Sequence, residues 1–368
     1  MTPGSDSDCV DDLKRAFSVY DQTVDVVSCW QSYFTWAYKD HLTFFDRYPE
    51  VPQADLTPDF TVLLGNYGLV GEVKRSFPRE DLPFDRTLEQ IQHYDAPMSI
   101  KSNSDGSRVV PETQDIMLLL FSPSDSYAIA RRIRERIEDG RLSVQNNLVL
   151  VEAFFENTEP RSRYVFRKVH TDNRPFRDSL LPKELRLEEV LGLHKESIKV
   201  YPEHFKDFKV KEVFCNDNPP PLYTAVYLWT KVFFTLLDKE QIATWRKGNP
   251  RRSVPLLVEI PSLTAQINSA FVRGGSVRTS WISDALEFLR VCDLAMKESP
   301  GKFTVQYHNL SSHSYADSAR EGGSDVTQAT EEYVDTLARR YCEGLTKEVV
   351  PPPPATTTGP HQTRLPVE

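Results

Sequence analysis

The sequence has few of the features that stabilise small secreted proteins or anchor a chain in a membrane. Its five cysteines are widely spaced and form no Cys-x-x-Cys pair, so neither a disulfide framework nor a structural zinc site is expected. No apolar run approaches the roughly 20 residues that cross a bilayer. The polar, acidic start lacks a signal-peptide pattern. We therefore expect a cytoplasmic protein with free thiols and no membrane partner.

An excess of positive charge is also missing. The formal net charge is −9, which argues against a protein that coats nucleic acid without specificity. Local basic patches or bound metal ions can still provide phosphate contacts in an acidic protein. The 368 residues suffice for two domains of ordinary size.

Alternating helix and strand patterns fill the first half of the chain. An aromatic-rich stretch over residues 11–48 predicts one or two helices, which Pro49 and Pro52 end. Residues 59–77 predict a β-hairpin that turns at Gly65-Asn66. The further predicted elements are a helix over 82–96, a strand over 115–121, a helix from an Asp125 cap to Gly140, and strands over 148–155 and 164–169. We expect an α/β domain over 1–178, a mixed sheet flanked by helices.

The second half is mostly helical and closes on a hairpin. Helices are predicted over 181–193, 222–237, 264–271 and 279–295, followed by a β-hairpin that turns at Pro300-Gly301. This order is typical of an α+β winged helix-turn-helix domain, which we place at 179–310. Residues 311–368 are predicted to be a linker, one helix and a disordered tail rich in proline and threonine.

One group of charged residues in the first half suggests chemistry. Pro58-Asp59 precedes the first hairpin strand, and Glu72-Val73-Lys74 lies in the second. Alternation along a strand puts Glu72 and Lys74 on one face, and the hairpin can return Asp59 to it. Two carboxylates can bind a hard divalent cation, and an ammonium can stabilise the charge that develops on a phosphate under attack.

The helix that follows adds a second motif. Gln90 and Tyr94 are spaced i, i+4 and therefore share a helix face. With these motifs in this order, about residues 15–170 resemble the PD-(D/E)xK nuclease superfamily, and the Gln-x-x-x-Tyr pair resembles its RecB-type branch. The resemblance implies a Mg²⁺- or Mn²⁺-dependent deoxyribonuclease of restriction, repair or defence. It implies these residue roles: catalytic Asp59, Glu72, Lys74, Gln90 and Tyr94, and metal-binding Asp59, Glu72 and Val73.

The sequence departs from the family pattern at one point. Many members place a further acid, often glutamate, on the first helix, but here no glutamate precedes Glu50. The sequence leaves four candidates open for that acid: Asp21, Asp25, Asp40 and Asp46.

Two sets of polar and basic residues are candidates for nucleic-acid contact. The first, on and before a predicted strand, either follows a phosphate backbone or forms a solvated strand face: Arg161, Arg163, Arg167 and Lys168. The second surrounds the predicted recognition helix and wing: Arg273, Arg278, Ser280 and Lys302. Winged helices also bind proteins, so this domain is expected to bind DNA, to form a homodimer or to bind another protein.

DNA is the expected partner of the whole chain. Two alternatives stay open, a catalytically inactive nuclease-like protein that binds DNA or protein, and an RNA-processing nuclease.

Overall fold

The computed structural model describes most of the chain in nine segments. These are residues 6–49, 57–121, 123–157, 162–169, 197–211, 213–247, 253–270, 277–310 and 324–349. Four predicted features lie wholly or mostly outside the described residues: the helix over 181–193, the boundary at 178/179, the linker over 311–325 and the tail over 351–368.

A seven-stranded mixed sheet forms the centre of the first half. Its strands are β1 (Leu42–Arg47), β2 (Phe60–Leu64), β3 (Tyr67–Lys74), β6 (Thr113–Leu120), β7 (Leu148–Glu156), β8 (Arg163–Lys168) and β9 (Ile198–Val200), in the spatial order β1-β2-β3-β6-β7-β8-β9. The central β3, β6 and β7 are parallel, and all other neighbours are antiparallel. The carboxyl ends of β3 and β6 therefore lie at one edge. A short hairpin of β4 (Ile100–Lys101) and β5 (Arg108–Val109) lies between β3 and β6 in the chain.

Helices cover both faces of this sheet. Helix α1 (Asp6–Ala37) packs on one face, and α2 (Asp81–His93) and α3 (Pro123–Glu138) pack on the other. Strand alternation supplies both cores, because Met117 and Leu119 join the α1 side while Leu118 and Leu120 join the α2–α3 side. The prediction of an α/β sheet flanked by helices is confirmed.

The predicted helical stretch over 11–48 is wrong in its last part. Helix α1 ends at Ala37, and the residues after it form β1, which pairs with β2 from Leu42↔Leu64 to Arg47↔Phe60. The aromatic and β-branched residues of β1 suit a strand, but the partner that fixes this choice lies further along the chain. The hairpin, the helix over 82–96 and the later strands are confirmed to within a few residues. Helix α3 begins at Pro123, so Asp125 lies in its first turn instead of capping it.

The second half contains six described helices and a second sheet. The helices are α4 (Pro202–Lys211), α5 (Pro221–Tyr227), α6 (Lys239–Lys247), α7 (Ile260–Ala270), α8 (Thr279–Val291) and α9 (Ser324–Val349), and α5 continues through a π-helical turn (Leu228–Val232) and a 3₁₀ turn (Phe233–Leu236). Strands β10 (Val254–Glu259), β11 (Ala295–Ser299) and β12 (Lys302–Tyr307) form an antiparallel sheet in the order β10-β12-β11. Strand β10 was not predicted. In the described part of the chain, no helix is both long and apolar enough to span a bilayer.

One hydrophobic cluster runs through both halves. Buried residues of α1, such as Trp30, belong to the same cluster as Trp229 after α5, Leu286 of α8 and Leu337 of α9. Helix α1 also contacts α4, α5 and α9 directly. The predicted division into domains 1–178, 179–310 and 311–368 stays a prediction, but its two larger parts share a core.

A disulfide joins the two ends of the described chain, contrary to the prediction of free thiols. Cys9 of α1 and Cys342 of α9 are bonded, with a sequence separation of 333 residues. Cys29, Cys215 and Cys292 are free and buried. Local spacing could not reveal the bond, because only the packing of α9 on α1 brings the two cysteines together. Disulfides are rare in reducing compartments, so the cytoplasmic location stays a prediction.

We predict that the disulfide contributes measurably to stability. Closing so long a loop restricts the unfolded chain, and Cys9→Ser should lower the free energy of unfolding by about 2–4 kcal/mol. Urea denaturation of the oxidised protein and the variant would measure this. As a control, reductant should destabilise the wild type and leave the variant unchanged. Equal stability of variant and oxidised wild type would contradict the prediction.

Candidate active site

The carboxyl end of β3 carries the charged pair predicted from the sequence. Glu72 and Lys74 point to the α2–α3 side of the sheet, as strand alternation requires. Lys74 Nζ lies 2.7 Å from Glu72 Oε1, and the two side chains are 20% and 7% exposed. The carboxylate is the more deeply buried partner, so the ammonium and hydrogen bonds must replace its lost hydration.

Helix α2 supplies those hydrogen bonds. Gln90 Nε2 donates to Glu72 Oε1 at 3.0 Å, and Gln90 Oε1 accepts from Lys74 Nζ at 2.8 Å. Tyr94 OH donates to Glu72 Oε2 at 2.9 Å and accepts from Gln90 Nε2 at 3.0 Å. The i, i+4 spacing lets both helix residues reach the same strand residue. All four side chains form one closed hydrogen-bonded network.

Asp59 meets this network from the start of β2. Its Oδ2 accepts from the main-chain N–H of Val73 at 2.7 Å, which places the Asp59 carboxylate next to the Glu72–Lys74 segment. Asp59 is partly exposed, whereas Glu72 is buried. Gly71 is needed just before Glu72, because a Cβ atom at this position would overlap the ring of Phe60.

Burial and a neighbouring like charge act together on the Asp59 carboxylate. Burial raises the pKa of Asp59 well above its usual range, and the neighbouring Glu72 carboxylate raises it further, while the Val73 N–H and Lys74 act in the opposite direction. Burial and Glu72 likewise raise the pKa of Tyr94, so its phenol remains protonated and donates to Glu72. The site therefore concentrates negative charge that a cation would stabilise.

The donor atoms fit a hard divalent cation. Asp59 and Glu72 provide carboxylate oxygens, and Val73, whose N–H bonds to Asp59, can add a main-chain carbonyl oxygen, a donor type that Mg²⁺ and Mn²⁺ accept. Within the described residues, no group of three or more His, Cys, Asp or Glu side chains is arranged to hold a metal ion. A cation here would therefore depend on two carboxylates, main-chain oxygen and water.

The four aspartates proposed as a further acid have neighbours other than Glu72 and Lys74. Asp46 lies 3.1 Å from Lys101 Nζ, and Asp25 accepts from Tyr164 OH at 2.8 Å. Asp21 contributes to the charge around Arg75 and Tyr223, and Asp40 is exposed in the turn before β1.

A segment of the second half approaches Asp59 instead. Asn216 Nδ2 donates to the carbonyl oxygen of Thr57 at 3.3 Å, and Tyr20 OH accepts from Cys215 N–H at 2.9 Å. The negative charge of Asp217 also raises the pKa of Asp59. Sequence reasoning missed this segment, since no local motif marks a contact between residues so far apart in the chain.

The predicted nucleic-acid-binding residues have different environments. Arg161 and Arg273 lie outside the described residues. Lys168 is buried, so its ammonium is not part of an exposed surface. Arg163 forms an ion pair with Glu156, and Arg167 forms one with Glu152. Lys302 Nζ lies 2.5 Å from Glu259 Oε1. Arg278 lies over the Trp281 ring, and Ser280 is exposed in the first turn of α8.

Comparison with known proteins does not assign the site. No protein-family model matches the chain, and no curated protein matches its sequence significantly. The function must therefore be inferred from the geometry of the network around Glu72.

We predict that Glu72 and Lys74 are energetically coupled. Lys74→Met leaves a buried carboxylate without its counter-ion and should cost about 3–5 kcal/mol of unfolding free energy. Adding Glu72→Gln should recover part of this loss. The measurement is a double-mutant cycle by urea denaturation.

The exposed pair Arg131–Glu135, with side chains 62% and 48% exposed, provides the control and should show a coupling below about 1 kcal/mol. Strict additivity at Glu72 and Lys74 would mean that the buried pair does not stabilise the network.

Proposed function

We propose that this chain is a divalent-cation-dependent nuclease of the PD-(D/E)xK superfamily, related to its RecB-type branch, that hydrolyses phosphodiester bonds in DNA. The supporting observation is the meeting of Asp59, Glu72, Lys74, Gln90 and Tyr94 in one network. The sequence predicts the convergence of Asp59, Glu72 and Lys74, and the family resemblance implies the roles of Gln90 and Tyr94. Restriction, repair or defence is the expected setting.

Each residue of the network has a distinct role in this proposal. Asp59 and Glu72 would hold the cation together with the carbonyl oxygen of Val73. Lys74 donates to a phosphate oxygen and stabilises the charge that develops there during attack. Gln90 and Tyr94 are positioning residues, because both donate to Glu72 and fix its orientation. When bound, Mg²⁺ or Mn²⁺ would lower the pKa of a coordinated water and neutralise phosphate charge.

The remainder of the architecture supports a nucleic-acid partner. A sheet with parallel β3, β6 and β7, and with α2 against the face that carries Glu72, agrees with a restriction-endonuclease-like core. Helices α5, α7 and α8 with the sheet β10-β12-β11 agree with a winged helix. We propose that this second unit binds DNA through the exposed Arg278 and Ser280 on α8, with Lys302 at the wing.

A second function is favoured by one observation. Both carboxylate oxygens of Glu72 already have donors within the protein, and the described residues offer no third carboxylate ligand. A catalytically inactive nuclease-like protein that binds DNA or another protein would have such a saturated network. Cleavage assays separate the two possibilities, and an RNA substrate in the same assay tests the RNA-processing alternative.

We predict cleavage that requires a divalent cation. Linear, circular and single-stranded DNA and structured RNA would each be incubated with Mg²⁺, Mn²⁺ or EDTA. EDTA should abolish hydrolysis, and Asp59→Asn and Glu72→Gln should each abolish it in the presence of metal, because each removes a carboxylate ligand.

Asp46→Asn is the matched control for these variants. Asp46 is also a buried carboxylate next to a lysine, but it lies outside the network. This variant should lose some stability and keep its cleavage rate. Activity that survives EDTA, or an active Asp59→Asn protein, would rule out the proposed mechanism.

Lys74→Ala should affect turnover more than substrate binding. A donor that acts on developing charge contributes mainly in the transition state, so kcat should fall by about 100- to 1,000-fold with a much smaller change in KM. Steady-state kinetics on one DNA substrate would measure the changes in kcat and KM separately. If KM rose and kcat stayed constant, Lys74 would be a ground-state phosphate contact only.

A further inference from the structure

The sheet aligns Lys74 with a second cation on the same face. Lys74 of β3 is paired with Leu120 of β6, Leu120 is paired with Glu152 of β7, and Glu152 is paired with Arg167 of β8. Directly paired residues of neighbouring strands point to the same side of a sheet. Three strand spacings separate Lys74 from Arg167, a distance of about 14 Å.

The β7–β8 hairpin, which carries Arg167, extends beyond these paired residues. Strand β6 ends at Leu120, opposite Glu152, but β7 continues to Glu156, where it pairs with Arg163 of β8. The β7–β8 hairpin therefore projects beyond the sheet edge at which Lys74 lies. A strand of nucleic acid at Lys74 could follow this edge towards the hairpin.

The two ion pairs of the hairpin present their charges differently. In the pair Glu152–Arg167 the glutamate side chain is 6% exposed and the arginine side chain is 59% exposed, so the charge that reaches the surface is mainly positive. In the pair Glu156–Arg163 the exposures are similar, 30% and 26%. Of these two described pairs, Glu152–Arg167 is therefore the one that attracts an approaching anion more strongly.

Glu152 is held from two sides and in turn orients Arg167. Ser126 of α3 donates to Glu152 Oε2 at 2.7 Å, and Nε and Nη2 of Arg167 both bind Oε1. The guanidinium also lies over the Phe154 ring at 5.8 Å, and its bonds to Glu152 use Nε and Nη2, which leaves the Nη1 donors for a ligand among the contacts of the described residues. A buried carboxylate thus fixes an exposed arginine that still has donors for a phosphate.

We propose that Arg167, positioned by Glu152 and Ser126, binds a backbone phosphate of the strand that is cut at Lys74. The substrate strand then runs along the carboxyl edge of the sheet from β3 towards β8, and the phosphate at Arg167 lies a few nucleotides from the cut. This inference rests on the proposed nuclease function and adds to it the path of the substrate.

The test compares variants that have the same net charge as the wild type. Arg167→Ala alone would leave Glu152 buried without a counter-ion, so the variant is Glu152→Gln with Arg167→Ala. The control, Glu135→Gln with Arg131→Ala, removes an exposed ion pair from α3. Binding of a labelled single-stranded oligonucleotide is measured by fluorescence anisotropy in the Asp59→Asn background, over a range of salt concentrations.

The Glu152/Arg167 variant should bind roughly tenfold more weakly. Its log–log salt slope should be shallower by about 0.7, the value for one lost contact to a single strand. The control should stay near wild-type affinity, and Glu152→Gln alone should bind at least as well as the wild type, since it keeps the arginine. Equal affinity of the Glu152/Arg167 variant and the control would overturn the proposal.

Neutral linkages then locate the contact. Methylphosphonates are placed one at a time along the strand, at increasing distance from the cut. At one position within a few nucleotides of the cut, the neutral linkage should weaken wild-type binding and abolish the difference between wild type and variant. If every position keeps that difference, Arg167 does not bind a particular phosphate and the proposal fails.

The nuclease function is tested separately by wild-type cleavage in Mg²⁺. Binding that depends on Arg167 without cleavage would refute the nuclease function and leave the phosphate contact standing. Cleavage with an unchanged KM in the Glu152/Arg167 variant would refute the path and leave the nuclease function standing.

Discussion

The buried carboxylate of Glu72 is the constraint on which the site depends. Removing a charged carboxylate from water is costly unless a counter-ion and hydrogen bonds replace the lost hydration. Lys74, Gln90 and Tyr94 supply that replacement, and they come from only two elements, β3 and α2. The position of α2 on the sheet is therefore fixed by polar contacts as well as by its apolar face. A helix displaced by one turn would leave Glu72 without two of its donors.

Helix α1 has a comparable role on the opposite face of the sheet. It covers that face and also contacts α4, α5 and α9 of the second half. Tyr20 on this helix accepts from Cys215 N–H, and the adjacent Asn216 bonds to Thr57, two residues before Asp59. The backbone that carries Asp59 is thus supported from both halves of the protein. A change in the second half can reach the candidate site through packing, without touching Glu72 or Lys74.

The sequence predicted what depends on short-range order and missed what depends on distant partners. The hairpin at Gly65-Asn66 is local, strand alternation put Glu72 and Lys74 on one face, and the i, i+4 spacing put Gln90 and Tyr94 on one helix face. That this helix face meets Glu72 was implied only by the family resemblance. Strand β1 was missed because its pairing with β2 outweighs the helical pattern before it. The Cys9–Cys342 bond and the approach of the 213–218 segment join residues far apart in the chain, and no periodicity records such contacts.

An acidic chain can still bind a polyanion if it places its charges unequally. The net charge of −9 counts every carboxylate equally, but Glu72 and Glu152 are buried beneath cations that are more exposed than they are. In the proposed complex, a phosphate at Lys74 or at Arg167 meets the more exposed cation of each pair before the carboxylate beneath it. The same carboxylates prevent the cations from adopting many rotamers, so less conformational entropy is lost when a phosphate binds. Under the proposed function, buried acids orient a few basic groups, and the net charge of −9 does not by itself exclude a nucleic-acid partner.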